Sequence, residues 1–274
     1  MSFSIQQRTL RYLMMISIFR FMAGKKSLIE RYRRLYMFHR PAEDVSSKKA
    51  QARFIAYINK KYGNGNAHTL LDLACGSGLL LFELKGKYEL TGLDIDKKCI
   101  NEGKQYVKWA SFVLGNMLDF KLDQAYDIIT CFDAIDHGSD LRVGIQKTLS
   151  NAYKHLTLGG LLIFTMPLAR ETWENGQSSA DRLSVKDEKY IWIHHKYVDR
   201  DRLKSCMAVV LFKGNKVSTE FKIGEMEGRM LHTLDVAKIA QRLGFRVHIF
   251  TAKGYKPWTS KSDDIPIFVC VKQS

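Results

Sequence analysis

No Cys-x-x-Cys pair occurs in this 274-residue chain, and its five cysteines, at positions 75, 99, 131, 206 and 270, keep no metal-ligand spacing. The pattern argues against a structural zinc or a disulfide framework, and points to reduced thiols in a cytoplasmic protein. An uninterrupted apolar run of the ~20 residues that span a bilayer is also missing. The N-terminal stretch Tyr12–Met22, YLMMISIFRFM, is broken by Arg20 and has no small-x-small cleavage site after it, so it fits neither a transmembrane helix nor a secretory signal. Acidic residues are scarce at this end. Residues 1–62 hold 3 acids against 14 Lys and Arg, which places +11 of the formal net charge of +15 in that segment.

What is present suits a soluble globular protein: 46% hydrophobic and 26% charged residues, in a length that favours one domain with embellishments. The basic field could attract nucleic acid, anionic lipid, an acidic carrier domain or a phosphorylated substrate, and a solvated helix face accounts for it equally. Three helices are expected there, around Tyr12–Met22, over 28–38 and over Lys48–Tyr62, where Ala52, Ile55, Ala56 and Asn59 form the inner stripe and Lys48, Lys49, Lys60 and Lys61 face water. As a helical cap over residues 1–66 they would serve as a lid, a homodimer contact or an interfacial anchor, in that order. A small polar or anionic metabolite ranks ahead of RNA or an anionic membrane surface as partner.

From Thr69 onward strands and helices alternate. The strands are Thr69–Ala74, Tyr88–Leu93, Ser111–Leu114, Tyr126–Cys131 and Gly160–Met166, with helices near Leu79–Leu84, Asp96–Trp109 and Gly144–Leu156 between them. Right-handed crossovers make this a mostly parallel sheet covered on both faces, with its ligand beyond the C-terminal strand ends. Between 169 and 230 the rhythm changes to extended segments, Lys189–His195, Met207–Phe212 and Lys216–Lys222, with a turn at Gly214-Asn215. The core then resumes with helix Thr233–Leu243 and strands Phe245–Phe250 and Ile265–Val271, where Pro266 suggests an edge-compatible position. The expected fold is α/β: a mostly parallel seven-stranded sheet with an antiparallel terminal strand, a helical N-terminal cap, and a small antiparallel insertion after strand five. Its divisions fall at 1–66, 67–168, 169–230 and 231–274.

The chemistry is announced by LLDLACGSGL, residues 70–79, a buried strand that carries Asp72 into a turn opened by Gly76 and Gly78. A purely structural turn accounts for the bare glycine spacing. The second strand adds weight because it leads into Asp94, about twenty residues on, where a carboxylate can accept both hydroxyls of a ribose. The turn lacks the full G-x-G-x-x-G of a dinucleotide fold, and no Walker lysine follows it. It resembles motif I of the Rossmann-like S-adenosylmethionine methyltransferases, D/E-x-x-x-G-x-G, which Asp72, Gly76 and Gly78 match. The order of elements resembles that family from about residue 67 to the end, and the insertion resembles that of the small-molecule N-methyltransferases.

This resemblance implies S-adenosylmethionine as cofactor, held by Asp72, Ala74, Gly76, Gly78, Asp94, Ile95, Asn116, Met117 and Phe132, with no metal. Asp94 would take the ribose, and Asp72 would order the turn or reach the methionine amino group. Gly115-Asn116-Met117-Leu118-Asp119-Phe120 resembles the family's G-D-M-x-D-F loop, with Asn116 where an acid usually meets the adenine amino group. An amide oxygen still accepts that bond, without charge assistance. Asp127 would support the core, and Asp96 would cap a helix. After strand four, Asp133, Asp136 and His137 lie where a methyl acceptor would meet the sulfonium. His137 is the first candidate for general base, and a capping or structural role fits it as well. Tyr36 and His195 complete the catalytic candidates, with Tyr32, His194 and His232 behind them.

The function expected is methyl transfer from S-adenosylmethionine to a nitrogen of a small polar metabolite. Oxygen methylation, including a carboxylate acceptor, is the first alternative; RNA modification and a noncatalytic cofactor-binding role follow. The loop Phe132-Asp133-Ala134-Ile135 lacks the Asn/Asp-Pro-Pro-aromatic motif of base-directed amino-methyltransferases, and Cys131 reads as core and not as a nucleophile. His137→Ala is expected to lower turnover more than cofactor affinity. Equal turnover of variant and parent would remove His137 from the catalytic candidates.

Overall fold

The computed structural model describes residues 48–63, 65–135, 141–166, 169, 177–185, 188–199, 202–213, 216–252, 254–262 and 264–273. Of those, 177–185, 188–199, 202–213 and 216–229 are described by backbone and register alone. The elements are α1 Lys48–Tyr62, β1 Thr69–Leu73, α2 Leu79–Glu83, β2 Glu89–Asp94, α3 Lys97–Tyr106, β3 Ala110–Leu114, β4 Tyr126–Cys131, α4 Leu141–Lys154 and β5 Leu156–Thr165. They continue with β6 Gln177–Val185, β7 Glu188–Asp199, β8 Arg202–Lys213, β9 Lys216–Arg229, α5 Thr233–Arg242, β10 Phe245–Thr251 and β11 Pro266–Lys272. The expected helices at Tyr12–Met22 and 28–38 lie outside the described residues, as do Tyr32 and Tyr36. Among the described residues no helix is long and apolar enough to cross a membrane.

Seven strands form one sheet in the order β10-β11-β5-β4-β1-β2-β3. β1 to β5 run parallel, and β11 is antiparallel to both β5 and β10. The strand order reverses between β1 and β4, the topological switch point where an open α/β sheet leaves a crevice beyond its strand ends. Strands buried on both faces explain runs such as Leu70-Leu71 and Leu161-Leu162-Ile163, whose alternate side chains enter opposite layers. One layer packs α4 and α5 through Ile145, Leu149, Val236 and Ala240. The other packs α1 and α2 through Phe54, Ile55, Ile58 and Leu81. On the first face Phe164 and Phe268 stack at 4.6 Å across β5 and β11.

Several sequence expectations are corrected. Pro266 is not on an edge, since β11 lies between β10 and β5; it is tolerated as the strand's first residue, where its carbonyl accepts the Met166 N–H at 3.2 Å. On α1, Ala56 is exposed, and Phe54 and Ile58 take the inner stripe with Ile55. The α4–β5 junction comes earlier than expected: the helix ends at Lys154 and β5 already begins at Leu156, with Gly159 at φ 75° inside the strand.

The antiparallel insertion forms its own four-stranded sheet, ordered β6-β7-β8-β9. It enters the chain between β5 and α5, from the same side of the sequence that supplies the C-terminal end of β5. At the opposite end of the main sheet, Asp127 ties β1, β4 and β5 together. Its carboxylate accepts the His68 and Thr69 N–H groups at 2.8 and 3.0 Å, and the Thr69 and Thr157 hydroxyls, both at 3.1 Å. Burial pushes its pKa up, but these bonds outweigh burial and leave it below the ordinary aspartate value. The residue is a clamp for the sheet, as its place at the start of β4 suggested.

Candidate active site

The site grows from the end of β1. Leu70, Leu71 and Leu73 are fully buried, and Asp72 between them is 5% exposed, so its carboxylate needs a partner within the protein. Thr130, its register partner on β4, donates its hydroxyl to Asp72 Oδ1 at 2.7 Å. The chain then leaves the sheet through three left-handed residues, Ala74 (φ 54°), Gly76 (φ 57°) and Gly78 (φ 79°). Ala74 carries a side chain in a region that disfavours one, which is local strain at a strand end. At Gly78 a Cβ would meet Phe112 Cζ at 2.6 Å, so close packing as well as backbone angle requires glycine.

Asp94 holds this turn. Its Oδ2 accepts the Gly76 N–H at 2.7 Å and its Oδ1 accepts the Asp96 N–H at 2.8 Å, while the Cys75 N–H reaches the Leu93 carbonyl at 3.0 Å. Asp96 caps α3 by accepting the Lys98 N–H at 2.8 Å, the role its position implied. Next to Asp94, Ile95 is an apolar side chain left 56% exposed, and Leu114 at the end of β3 is 53% exposed. Met117 packs partly against the core, and Asn116 Oδ1 closes its own loop by accepting the Leu118 N–H at 3.0 Å. The far end of that loop is pinned to α4: Asn151 donates to the Phe120 carbonyl at 3.0 Å, and His155 Nε2 accepts the Leu122 N–H at 3.2 Å. Accepting that bond puts the proton on Nδ1, which lies 2.9 Å from the Asn151 carbonyl.

On the other side of the switch point, Phe132 is 4% exposed within the apolar layer beneath α1. Asp133 follows with φ 62° and 3% exposure. Its N–H donates to Thr165 Oγ1 at 2.7 Å, and the Thr165 hydroxyl donates back to its Oδ1 at 3.1 Å. This pair joins the ends of β4 and β5 as Asp72 and Thr130 join β1 and β4. Asp136 and His137 lie outside the described residues. His195 lies within β7, opposite Ser178 on β6 and Cys206 on β8, and His194 is opposite Ser179 and Met207. His232 is exposed at the N-terminus of α5.

Lys48 and Gln51 are the functional candidates that sequence reasoning missed. Lys48 is half-buried, its ammonium donates to Gln51 Oε1 at 3.0 Å, and Gln51 is 3% exposed. The sequence offers no signal for either, because lysines near a helix terminus ordinarily signify solvent and the burial of Gln51 is seen only in the fold.

A family described as a methyltransferase domain matches residues 70–160, the stretch from β1 into β5. A malonyl-[acyl-carrier protein] O-methyltransferase of Bacillus cytotoxicus is 27% identical over 178 residues, covering 63% of this chain and 60% of that enzyme. The fold resembles that of CalS10, an amino pentose methyltransferase from Micromonospora echinaspora solved with bound S-adenosylmethionine, at a TM-score of 0.73 and 16% identity over 91% of this chain and 98% of the other. It also resembles the sugar N-methyltransferase KedS8 from Streptoalloteichus, at a TM-score of 0.72 and 17% identity over 89% and 93% of the two chains.

The donor set fits a nucleoside with an amino-acid end. A carboxylate stands at the end of β2, exposed apolar side chains flank it, an amide lies beyond β3, and a buried carboxylate lies beneath a left-handed turn. Burial raises the pKa of Asp72 to about 6, with a further push from Asp94, against the opposing pull of the Lys48 charge and the Thr130 hydrogen bond. Folding therefore lifts this group above its ordinary value of 3.8, and the native state holds the proton more tightly than the unfolded chain. Its contribution to stability is complete below pH 3.8 and is lost as pH rises through about 6. Keeping the carboxylate ionised at neutral pH costs roughly 3 kcal/mol. An Asp72→Asn variant is expected to melt higher than the parent at pH 7.5, and the gap should close toward pH 4. Thermal midpoints that track each other across this range would contradict the assignment.

Proposed function

We propose that this chain, whose core is a methyltransferase domain in the Rossmann-like fold of the S-adenosylmethionine-dependent enzymes, transfers a methyl group to a nitrogen of a small polar metabolite. The observation that carries the reading is the Asp94 carboxylate at the end of β2, which accepts the Gly76 amide of the left-handed turn after β1 and the Asp96 amide of its own loop. Carboxylate oxygens accept more than one hydrogen bond, so Asp94 can hold the turn and receive ribose hydroxyls together. Ile95 and Met117 offer apolar contact to an adenine ring, and the Asn116 amide faces the same end of the crevice in this reading. Asp72 is the anion for the amino group of the methionine part. The small-molecule class is supported by the long antiparallel insertion between β5 and α5, on a fold like that of the amino pentose and sugar N-methyltransferases.

S-adenosylmethionine supplies an already activated methyl on its sulfonium, so the protein's work is alignment, exclusion of water and keeping the acceptor nitrogen unprotonated. Asp133, locked by Thr165 at the end of β4, fixes how the chain leaves that strand, and His137, four residues on in the sequence, is the candidate base. A second reading, methylation of a carboxylate oxygen on a carrier-bound acyl chain, is favoured by the match to the malonyl-[acyl-carrier protein] O-methyltransferase. The basic N-terminal segment suits an acidic carrier.

Transfer of labelled methyl from S-adenosylmethionine into a metabolite extract, followed by mass identification of the product, tests the proposal. Label on the nitrogen of a small amine is the expected result. Label on a carboxylate would establish the second reading, and label confined to RNA would contradict both.

A further inference from the structure

The amino-acid end of S-adenosylmethionine is a zwitterion, and a site for it needs an anion and a cation a few ångströms apart. The anion is Asp72, under the glycine turn. Its counterpart is absent from β1, β2 and the glycine turn; the basic residues between the two strands, Lys85 and Lys87, lie at the entry to β2, the opposite end of the strands. The cation comes from α1. This helix packs on α2, sharing a cluster with Leu70, Cys75, Leu80 and Leu81, and so its first turn lies beside the C-terminal end of β1 while its last residue, Tyr62, stacks on His248 of β10. Lys48 opens that first turn. In keeping with that packing, its charge is the foremost influence holding down the pKa of buried Asp72.

Two details show that Lys48 is positioned and not merely tethered to a surface helix. Its ammonium is fixed at 3.0 Å by the oxygen of Gln51, a side chain only 3% exposed, while neighbouring Lys49 is exposed. The described first turn of α1 also contains no acidic residue.

We propose that Lys48, oriented by Gln51, pairs with the carboxylate at the amino-acid end of S-adenosylmethionine, opposite Asp72 at the amino group. The inference rests on the cofactor reading above and adds to it a residue of α1, outside the matched domain of residues 70–160. An ammonium–carboxylate pair in a partly enclosed site is a charge-assisted bond, stronger than a neutral one. Lys48 is then a binding residue, and Gln51 a positioning residue for it.

Calorimetric titration separates direct pairing from an effect relayed through Asp72, using two ligands that share the adenosine and the amino group. S-adenosylhomocysteine carries the carboxylate; 5′-deoxy-5′-(3-aminopropylthio)adenosine lacks it. Lys48→Met is expected to weaken S-adenosylhomocysteine about tenfold to a hundredfold and to leave the amine analogue within about twofold, with Lys48→Arg retaining most of the affinity. Equal losses for both ligands would show that Lys48 acts only by charging Asp72, and unchanged affinity for both would return it to the solvent; either overturns the proposal. Failure of the parent protein to bind both ligands would instead overturn the cofactor reading and this inference with it. A Gln51→Leu variant that reproduces part of the selective loss would support its positioning role, and one that leaves both affinities intact would remove Gln51 from the site.

Discussion

A single carboxylate makes the crevice. Asp94 accepts amide protons from Gly76 and Asp96 at 2.7 and 2.8 Å, and thereby locks the turn after β1 to the turn after β2. Beside that bridge, the Cys75 N–H to the Leu93 carbonyl ties the left-handed run through Ala74, Gly76 and Gly78 to β2. Charge-assisted bonds to backbone amides are short and strong, which suits a turn that must stay open to a ligand while carrying strain at Ala74.

The same device recurs across the strand ends. Asp72 takes the Thr130 hydroxyl between β1 and β4, and Asp133 exchanges bonds with Thr165 between β4 and β5. Three carboxylates thus line the end of the sheet from β2 to β5. In an apolar sheet such a row is costly, and Asp72 registers the cost as a pKa raised to about 6 by burial. A cationic ligand end relieves that cost, and the lysine on α1 moderates it in the meantime. Stability is given up at the strand ends where charge is useful, while the clamp at Asp127 holds the opposite end of β1, β4 and β5 together.

Much of this was legible because the relevant residues obey local rules. Strands flanked by glycine turns, the helix Lys48–Tyr62 ending before the turn residues 63–66, and Asp94 at a fixed offset from Gly76 are all consequences of period and spacing. The less legible parts depend on tertiary contacts. β6, QSSADRLSV, has no alternation of apolar residues and gains its strand from pairing with β7. Pro266 reads as an edge residue, yet starts an inner strand because its missing N–H falls at the strand's first position. Lys48 looks like any lysine at a helix end, and only the packing of α1 against the glycine turn brings it near Asp72. The local role of Asn116 also comes from the folded loop: its amide oxygen accepts the Leu118 N–H and shapes the turn, with a second lone pair left on that oxygen.

The central claim is that Asp94 serves the turn and a ribose at once. The direct measurement is calorimetric titration of S-adenosylmethionine into the parent and an Asp94→Ala variant whose fold is checked by circular dichroism. A folded variant that loses about a hundredfold or more in affinity is the predicted result. A folded variant that binds S-adenosylmethionine as tightly as the parent would contradict it.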